Sequence, residues 1–423
     1  MRTYLIAATL LAPAVASAGG YIIPNGSPRE IALSQAAVAN QTDATATFMN
    51  AASLAGIDGL DLSLGDTLLL NHTDWSAAGY GSASLKTQAN VPPSLAIAYG
   101  QRVANGMRWG IGGGLDVPAG GSIVWPDGWA GAESIQSVKQ LVFALHASAG
   151  FEPIPGLRLG AGYVRFLAQE ELHQSVNYLD HSGDAGLAMA GGANGFNLAA
   201  DVRIPNVPLR LGINYSHSSN LELSGHAHFE SVPLALQGLL HDQPVTETLT
   251  IPKVFYAGAS YEVRPGLTVM GSYNYEGWNV YKSDKFVGAD GFIVEVKRNY
   301  NNASVYRLAA EWKRPDFLPK ATLRLGMLRS LSDQPAETVS PSLTDGSSWA
   351  VSLGGGFDVT PALRVDVGYQ RAFFDTVTSQ GAEVLPGEYK TAVDLIAIGV
   401  NWRMDVGGAA RKAAPPAAQT AQR

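Results

Sequence analysis

The sequence predicts an all-β protein: a transmembrane antiparallel β-barrel of about 14 strands with a small N-terminal helical plug in its lumen. Three observations lead to this prediction. Segments with an apolar side chain at every second position recur along most of the chain. The connections between them alternate between short turns and long polar loops. The N-terminus has the pattern of an export signal. The alternation taken alone would also fit a large soluble all-β protein, which is the alternative fold.

The clearest repeating unit spans residues 250–281. Apolar side chains occupy every second position from Phe255 to Val263 and again from Leu267 to Tyr275. A Pro-Gly pair lies between the two runs, and this combination predicts a β-hairpin. A soluble sheet would show the same pattern, so the barrel prediction depends on its repetition.

Comparable units recur from residue 60 onward. The predicted strands are marked by residues 60–72, 95–99, 107–111, 141–145, 157–163, 196–202, 209–215, 255–263, 267–275, 306–312, 323–327, 349–357, 363–369 and 396–402. The predicted long loops are 73–90, 118–134, 173–190, 222–246, 282–297, 330–346 and 375–390. Outer-membrane barrels have short periplasmic turns and long external loops, so the long loops are expected outside the cell.

The chain ends differ from the repeats. Residues 1–18 combine Arg2, an apolar core and the small residues Ala16-Ser17-Ala18, which predicts a signal peptide. Residues 19–57 lack a period of two and predict a plug of short helices and turns. Residues 58–404 form the predicted barrel, and the Ala- and Pro-rich residues 405–423 predict a disordered periplasmic tail.

Composition narrows the function classes. The 423 residues carry a net charge of -7 and no cysteine, which excludes a disulfide framework and a lipid-anchored cysteine. The mild acidity and the absence of a long basic stripe argue against nucleic-acid binding. No run of about 18 apolar residues follows the N-terminus. No metal cluster, phosphate loop or cofactor motif stands out.

Charged residues alternate with the apolar positions of the strands. A basic side chain facing lipid at the bilayer centre costs about 2–4 kcal/mol, so these charges should face the lumen and pair with each other. They are Arg158, Asp201, Arg203, Arg210, Glu262, Glu276, Arg307, Glu311, Arg324, Arg364 and Asp366. The aromatic residues near strand ends, Phe151, Tyr163, Tyr215, Trp312 and Tyr369, fit girdles at the membrane surfaces.

With these hairpins in place, the chain resembles the FadL family of outer-membrane transporters for long-chain fatty acids and other hydrophobic compounds. The resemblance covers nearly the whole chain after the signal peptide. It is carried by the order of residues 32–56, 209–229 and 323–357, and by Ile251-Pro252 with Trp278. In the plug, Asn50-Ala51-Ala52 stands where the family typically has Asn-Pro-Ala, and this change leaves the plug corner less constrained.

The resemblance implies that a hydrophobic ligand is captured on external loops, passes to an apolar pocket, and leaves sideways through a gap at an inward kink of the third strand. Glycine and proline weaken a strand, so Gly112, Gly113, Gly114 and Pro118 are the predicted kink. The alternative to a kink is that residues 112–118 form an ordinary strand that leads into its loop.

Ligand-binding residues are predicted in two places. The apolar loop residues Leu234, Leu236, Leu239 and Leu240 are candidates for capture, or for packing over the barrel mouth. The resemblance suggests Arg165 as the partner of a fatty-acid carboxylate, with Lys297 or Arg298 as a second cation.

A neutral hydrocarbon is the alternative ligand, because the strand pattern gives Arg165 the same phase as the lipid-facing Tyr163. An outer-membrane lipase would need a catalytic serine and histidine, but His146 alternates inward and no Gly-x-Ser-x-Gly elbow occurs. A surface adhesin would lack an apolar tunnel, and a porin would pass only polar solutes. The expectation is a monomeric, non-enzymatic transporter in the outer membrane of a Gram-negative bacterium, in contact with its lipid and lipopolysaccharide.

Overall fold

The computed structural model describes residues 21–23, 26–103, 106–178, 181–332, 334–380 and 385–404. The predicted signal peptide and tail lie outside the described residues. The helices are α1 (Pro28–Ala32), α2 (Ala46–Met49) and the 3-10 helices Ala51–Gly56, Trp278–Val280 and Ala336–Thr338. None of these helices is long and apolar enough to cross a membrane.

Most of the remaining described chain is β-strand. The strands are β1 (Gly59–Ala77), β2 (Gly81–Ser84), β3 (Pro93–Arg102), β4 (Arg108–Val124), β5 (Ser137–Ile154), β6 (Leu157–Asn177), β7 (Ser182–Arg203), β8 (Leu209–Ser216), β9 (Ser219–Phe229), β10 (Gln243–Ile251), β11 (Val254–Arg264), β12 (Leu267–Glu276), β13 (Ser283–Gly288), β14 (Ile293–Lys297), β15 (Ala303–Lys313), β16 (Ala321–Leu331), β17 (Ser348–Asp358), β18 (Leu363–Phe374), β19 (Val377–Ser379) and β20 (Gly387–Met404).

Across the described residues, fourteen of these strands form one closed antiparallel wall, which confirms the predicted fold class. They are β1, β3–β8, β11, β12, β15–β18 and β20. Strand β20 pairs with β1 from Leu60–Met404 to Ser76–Glu388, so the sheet has no free edge along this seam. Closure allows a β-structure to cross lipid, because neighbouring strands satisfy each other's backbone groups without a free edge.

The fourteen strands predicted from the sequence are all found, but several predicted loops are wrong. Strand β4 continues to Val124, β6 and β7 cover most of residues 173–190, and β9 and β10 extend into residues 222–246. Above the membrane the outer face meets water, so the alternation is inverted. In β9, for example, Leu221 and Leu223 are buried while Glu222 is exposed. A search for outward apolar residues does not detect such strands.

The two faces of the wall differ in the lower part of the barrel, as alternation requires. Phe151, Leu159 and Tyr163 are exposed on the outer face, where they would contact lipid. The inner face carries the charges. Glu152 and Asp201 both contact Arg158, at 2.8 Å and 3.6 Å.

Residues 26–57 fill the lower lumen as a plug. The side chains of α1 and of the helix Ala51–Gly56 are largely buried against the wall strands. Glycines on the inner face let the plug backbone approach directly. A Cβ added at Gly150 would lie 2.5 Å from the backbone oxygen of Ala51, and one at Gly110 would meet the backbone oxygen of Leu54. The barrel and its plug are therefore matched to each other at the level of the backbone.

Candidate functional site: a lumenal cavity and an opening in the wall

Strand β4 leaves its neighbour β3 part of the way up the barrel. The β3–β4 ladder ends at the pair Leu95–Leu115. On the other side, β4 stays with β5 through a bulge, since Asp116 pairs with Ala144 and Ala119 with Val142. Three steps along β4 thus match two along β5, which inserts one extra residue into β4. A bulge of this kind bends its strand and re-aims its side chains.

The N-terminal segment takes over the hydrogen bonds that β3 no longer makes. The backbone N–H of Ile23 donates to the carbonyl of Pro118 at 3.0 Å, and the N–H of Gly120 donates to the carbonyl of Tyr21 at 2.9 Å. Ile22 and Ala119 form a β-bridge. The bent part of β4 therefore pairs inward, with a segment inside the barrel, instead of sideways with the wall.

This departure leaves an opening in the wall, which we call the wall opening. Its lower edge is the Leu95–Leu115 pair, and above it Ser122 Oγ donates to Asn90 Oδ1 at 2.9 Å. A cavity of about 420 Å³ occupies it. The lining includes side chains of both faces: Gln140 and Glu170 are buried inside, while Leu141, Phe143 and Lys139 belong to the outer face or its edge.

The residues predicted for the kink divide into two groups. Gly112, Gly113 and Gly114 lie within the regular ladders of β4 with β3 and β5. A Cβ at Gly112 would meet Thr47, and one at Gly114 would meet the carbonyl oxygen of Leu95 and the ring of Phe48, so both glycines make room for the plug. Pro118 lies within the bulge itself, where its missing N–H costs no ladder hydrogen bond. The bend is therefore at Asp116–Ala119, at the end of the predicted range.

A second cavity, which we call the plug cavity, lies between the plug, the N-terminal segment and the wall. Its volume is about 140 Å³. Its apolar lining comes from every side: Ile22, Ile23, Val38, Phe48, Met49, Pro118, Ala119, Ala144, Val164, Phe166, Ile251 and Val254. Ile23 also lines the wall opening, so the described part of the N-terminal segment borders both spaces.

Polar side chains also line the plug cavity, but none of the described lining residues is lysine or arginine; the polar ones are Gln35, Asp116, His146, Asn197, Asn214, Ser216, His217 and Tyr256. His146 Nε2 and Asp116 Oδ1 are 2.9 Å apart, with side chains 9% and 11% exposed. The inward orientation of His146 agrees with the strand alternation. The ring of Phe48 lies 5.4 Å from the imidazole, centre to centre.

Arg165 does not line either cavity. Its neighbours Val164 and Phe166 are buried and line the plug cavity, so alternation directs Arg165 to the outer face. There its Nη1 donates to Asn194 Oδ1 at 3.2 Å, beside the hydroxyl of Tyr163. A carboxylate inside the barrel would not meet this guanidinium.

Lys297 and Arg298 lie side by side in sequence but on opposite faces. Lys297 is exposed, whereas Arg298 is fully buried in the lumen. Arg298 Nε contacts Asp284 Oδ2 at 2.7 Å, and its Nη1 donates to Ser340 Oγ at 3.0 Å. The charge of Arg298 is thus matched by a carboxylate of the protein.

The apolar loop after β9 is partly packed and partly exposed. Leu240 is buried, and Leu236 is packed with it, in a cluster with Val176 and Ala185 at the end of the β6–β7 hairpin. Leu234 and Leu239 are 85% and 62% exposed. The loop therefore presents two leucines to the exterior while the other two attach it to the barrel.

The plug corner Asn50-Ala51-Ala52 is held by the amide of Asn50. Its Oδ1 accepts from the N–H of Ala52 at 3.2 Å, and its Nδ2 donates to the carbonyl of Val38 at 2.7 Å. Asn50 is fully buried. These two bonds fix the start of the helix Ala51–Gly56 without a proline at position 51.

Sequence reasoning missed the residues that close the site. The sequence predicts Tyr21, Ile22 and Ile23 only as part of the plug, and Asn90 and Ser122 only as loop residues. No periodic signal marks them, because their partners are distant in sequence. Among the residues that the structure describes, no group of three or more His, Asp or Glu side chains could hold a metal ion.

A closed antiparallel barrel with an internal plug and an interruption in its wall defines a plugged β-barrel channel. A family model described as "Outer membrane protein transport protein (OMPP1/FadL/TodX)" matches residues 9–404. The chain therefore belongs to this family of outer-membrane proteins, which transport hydrophobic compounds.

Solved structures agree on the fold. A FadL homologue of Pseudomonas aeruginosa has a TM-score of 0.81 at 17% identity, covering 91% of this chain and 100% of that chain. The toluene transporter TodX of P. putida has a TM-score of 0.69 at 16% identity, with coverages of 88% and 98%. The toluene transporter TbuX of Ralstonia pickettii has a TM-score of 0.65 at 18% identity, with coverages of 90% and 99%. No curated protein sequence matches the chain.

Proposed function

We propose that the protein carries neutral hydrophobic compounds inward across the outer membrane, through the plug cavity and then sideways through the wall opening. The observation that carries this proposal is the bend of β4 at Asp116–Ala119, which separates an apolar cavity from an opening lined by both faces of the wall. An apolar ligand that leaves into lipid avoids water, and each buried CH₂ favours this route by about 0.8 kcal/mol.

A neutral ligand is favoured over a fatty acid. A carboxylate buried without a cation is costly, because an isolated charge loses its hydration. The described lining of the plug cavity offers Asp116 and no lysine or arginine, and the lumenal Arg298 is paired with Asp284. The toluene transporters TodX and TbuX, which share this fold, agree with a neutral substrate.

Deleting Pro118 tests the lateral exit. The deletion removes the extra residue of β4, so the strand can run straight and pair with its neighbour. Uptake of radiolabelled toluene by cells that express the variant should fall to the level of cells without the protein. The matched control is Pro118→Ala, which keeps the length of the bulge and should retain most of the uptake.

Heat-modifiable migration on SDS gels and outer-membrane fractionation would show that the deletion variant folds. A folded variant that takes up toluene at the normal rate would contradict the lateral exit. Uptake of arabinose but not of toluene by the unaltered protein would contradict transport of hydrophobic compounds altogether.

A further inference from the structure

A third cavity lies at the lower end of the lumen, between the plug and the wall, and we call it the basic recess. Its volume is about 360 Å³. Asn40 and Thr42 of the plug form one side, and strands β7, β8, β11, β12 and β15 supply the other. Pro208 and Gly266, in two of the short turns, also line it. Because short turns face the periplasm, a solute can reach the recess from there.

The lining of the basic recess has an excess of positive charge. It contains Arg203, Arg210 and Lys313, and Glu262 is the one acidic residue of the described lining. Glu262 Oε1 already accepts a hydrogen bond from the N–H of Gly266 at 2.9 Å. Three cations thus face one carboxylate, in a chain whose net charge is -7.

The carboxylate nearest to Lys313 is shared with other cations. Lys313 Nζ lies 3.3 Å from Glu311 Oε1. Glu311 also contacts Arg29 at 3.0 Å and Arg324 at 2.8 Å. One carboxylate cannot neutralise three cations, so the charge of Lys313 adds to the excess in the recess.

The two arginines of the recess lie directly opposite each other. Arg203 of β7 and Arg210 of β8 are partners in the ladder, and Ser260 of β11 is the partner of Arg210 on the other side. Ser260 Oγ donates to the carbonyl of Ala39 in the plug, so this face of the sheet points into the lumen. Like charges directly opposite each other destabilise a sheet. Among the described residues, neither guanidinium has a salt-bridge partner.

This arrangement has the chemistry of an oxyanion site. A guanidinium pairs with phosphate or carboxylate through two parallel N–H donors, and an ammonium group adds a third contact. Thr42 and Thr268 add hydroxyl groups to the lining. Three cations and one carboxylate leave an excess of two positive charges, and a phosphate group carries about -1.5 to -2 at pH 7.

We propose that the basic recess binds a phosphate group from the periplasm between Arg203, Arg210 and Lys313. The bound group relieves the repulsion between the two opposed arginines. It also contacts the plug through Thr42, so it fastens the plug to the wall. This site is separate from the route of the hydrophobic compound, because the recess and the plug cavity share no lining residue among those described.

Titration calorimetry on the purified full-length protein in detergent tests the site, with inorganic phosphate as the probe and sodium chloride holding the ionic strength constant. Phosphate should bind and release heat that saturates. Hydrogen exchange of the Asn40 amide, which donates to the carbonyl of Ala37 at 2.8 Å, should slow when phosphate is present. Glycerol phosphate, tested in parallel, separates the two sources of the group: equal affinity assigns the site to any phosphate ester, and weaker affinity assigns it to the free ion.

Variants of equal charge change distinguish the recess from the general field of the protein. Arg210→Gln should weaken phosphate binding about ten-fold or more, in line with the loss of one charge-assisted hydrogen bond. Arg203→Gln, at an exposed position, should have the same effect and serves as the second test if Arg210→Gln does not fold. The matched control is Arg329→Gln, whose partner Asp375 and own side chain are 54% and 42% exposed on the external side. It should bind phosphate as the unaltered protein does.

Three results would overturn the proposal. The first is an unaltered protein that does not bind phosphate. The second is an equal loss of affinity in Arg203→Gln and Arg329→Gln, since this would reflect net charge and not a site. The third is bound phosphate that leaves the exchange of the Asn40 amide unchanged, which would exclude the link to the plug. None of these results bears on toluene uptake, so the proposed function is tested separately.

Discussion

A buried ion network joins the plug to the wall, and removing its central carboxylate should loosen the plug. Glu311 is fully buried and accepts hydrogen bonds from Arg29 Nε at 3.0 Å and Nη2 at 3.2 Å. It also accepts from Arg324 Nε at 2.8 Å. Arg29 belongs to helix α1 of the plug, whereas Glu311 and Arg324 belong to β15 and β16 of the wall. Replacing Glu311 by alanine leaves two buried guanidinium groups near each other.

The magnitude follows from which partners remain. Removing one partner of a buried ion pair costs about 3–5 kcal/mol, because the other charge stays buried and uncompensated. Arg324 keeps Asp366 at 2.6 Å, and Arg29 keeps Glu30 at 3.2 Å. We therefore expect a cost near the lower limit, about 3 kcal/mol, which is a change of more than one-hundred-fold in the docking equilibrium of the plug.

Hydrogen exchange of the α1 amides and ion conductance in planar bilayers would measure this effect. In Glu311→Ala, both should rise relative to the unaltered protein. The matched control is Asp375→Ala, because Asp375 pairs with Arg329 at 2.9 Å while the two side chains are 54% and 42% exposed. An exposed pair contributes about 0–1 kcal/mol, so the control should behave as the unaltered protein. Equal α1 protection and conductance in Glu311→Ala and the control would refute the reasoning.

Three further predictions concern the contact between the plug and the wall, and the external loop after β9. Gly110→Ala should displace the plug and raise ion conductance, because the new Cβ would meet the plug backbone. Gly113→Ala is the control, since its new Cβ would have no atom nearer than 3.8 Å and should leave conductance unchanged. Equal conductance in the two variants would contradict the close fit between plug and wall. Leu234→Ser should raise the half-saturating toluene concentration up to about ten-fold without changing heat stability, and unaltered uptake would exclude a capture role. The hydrogen bond to Asp242 raises the pKa of His228. The protonated His228 should therefore stabilise the external loop against proteases below pH about 6.5, and this protection should be lost as the pH rises through the raised pKa. Asp242→Asn should remove the pH dependence.

Some of the site could be predicted from the sequence because it depends on local pattern. The inward phase of His146 and the outward phase of Arg165 both follow from strand alternation, and Pro118 was identified as a strand-weakening residue. The sequence also predicts the preceding glycines as part of the bend, but only the position of Thr47 and Phe48 shows that Gly112 and Gly114 accommodate the plug. Alternation reports the environment of a strand but not the identity of what packs on it.

The sequence by itself determined the barrel, its fourteen wall strands and the lumenal placement of its charges. A period of two and the cost of a charge in lipid are properties of each strand taken alone. Only the tertiary structure decided where the wall opens, since the bend of β4 exists through hydrogen bonds to Tyr21 and Ile23, about a hundred residues away. It also decided that the described lining of the plug cavity holds no lysine or arginine. The lining depends on which distant side chains closure brings together, and no local pattern encodes it.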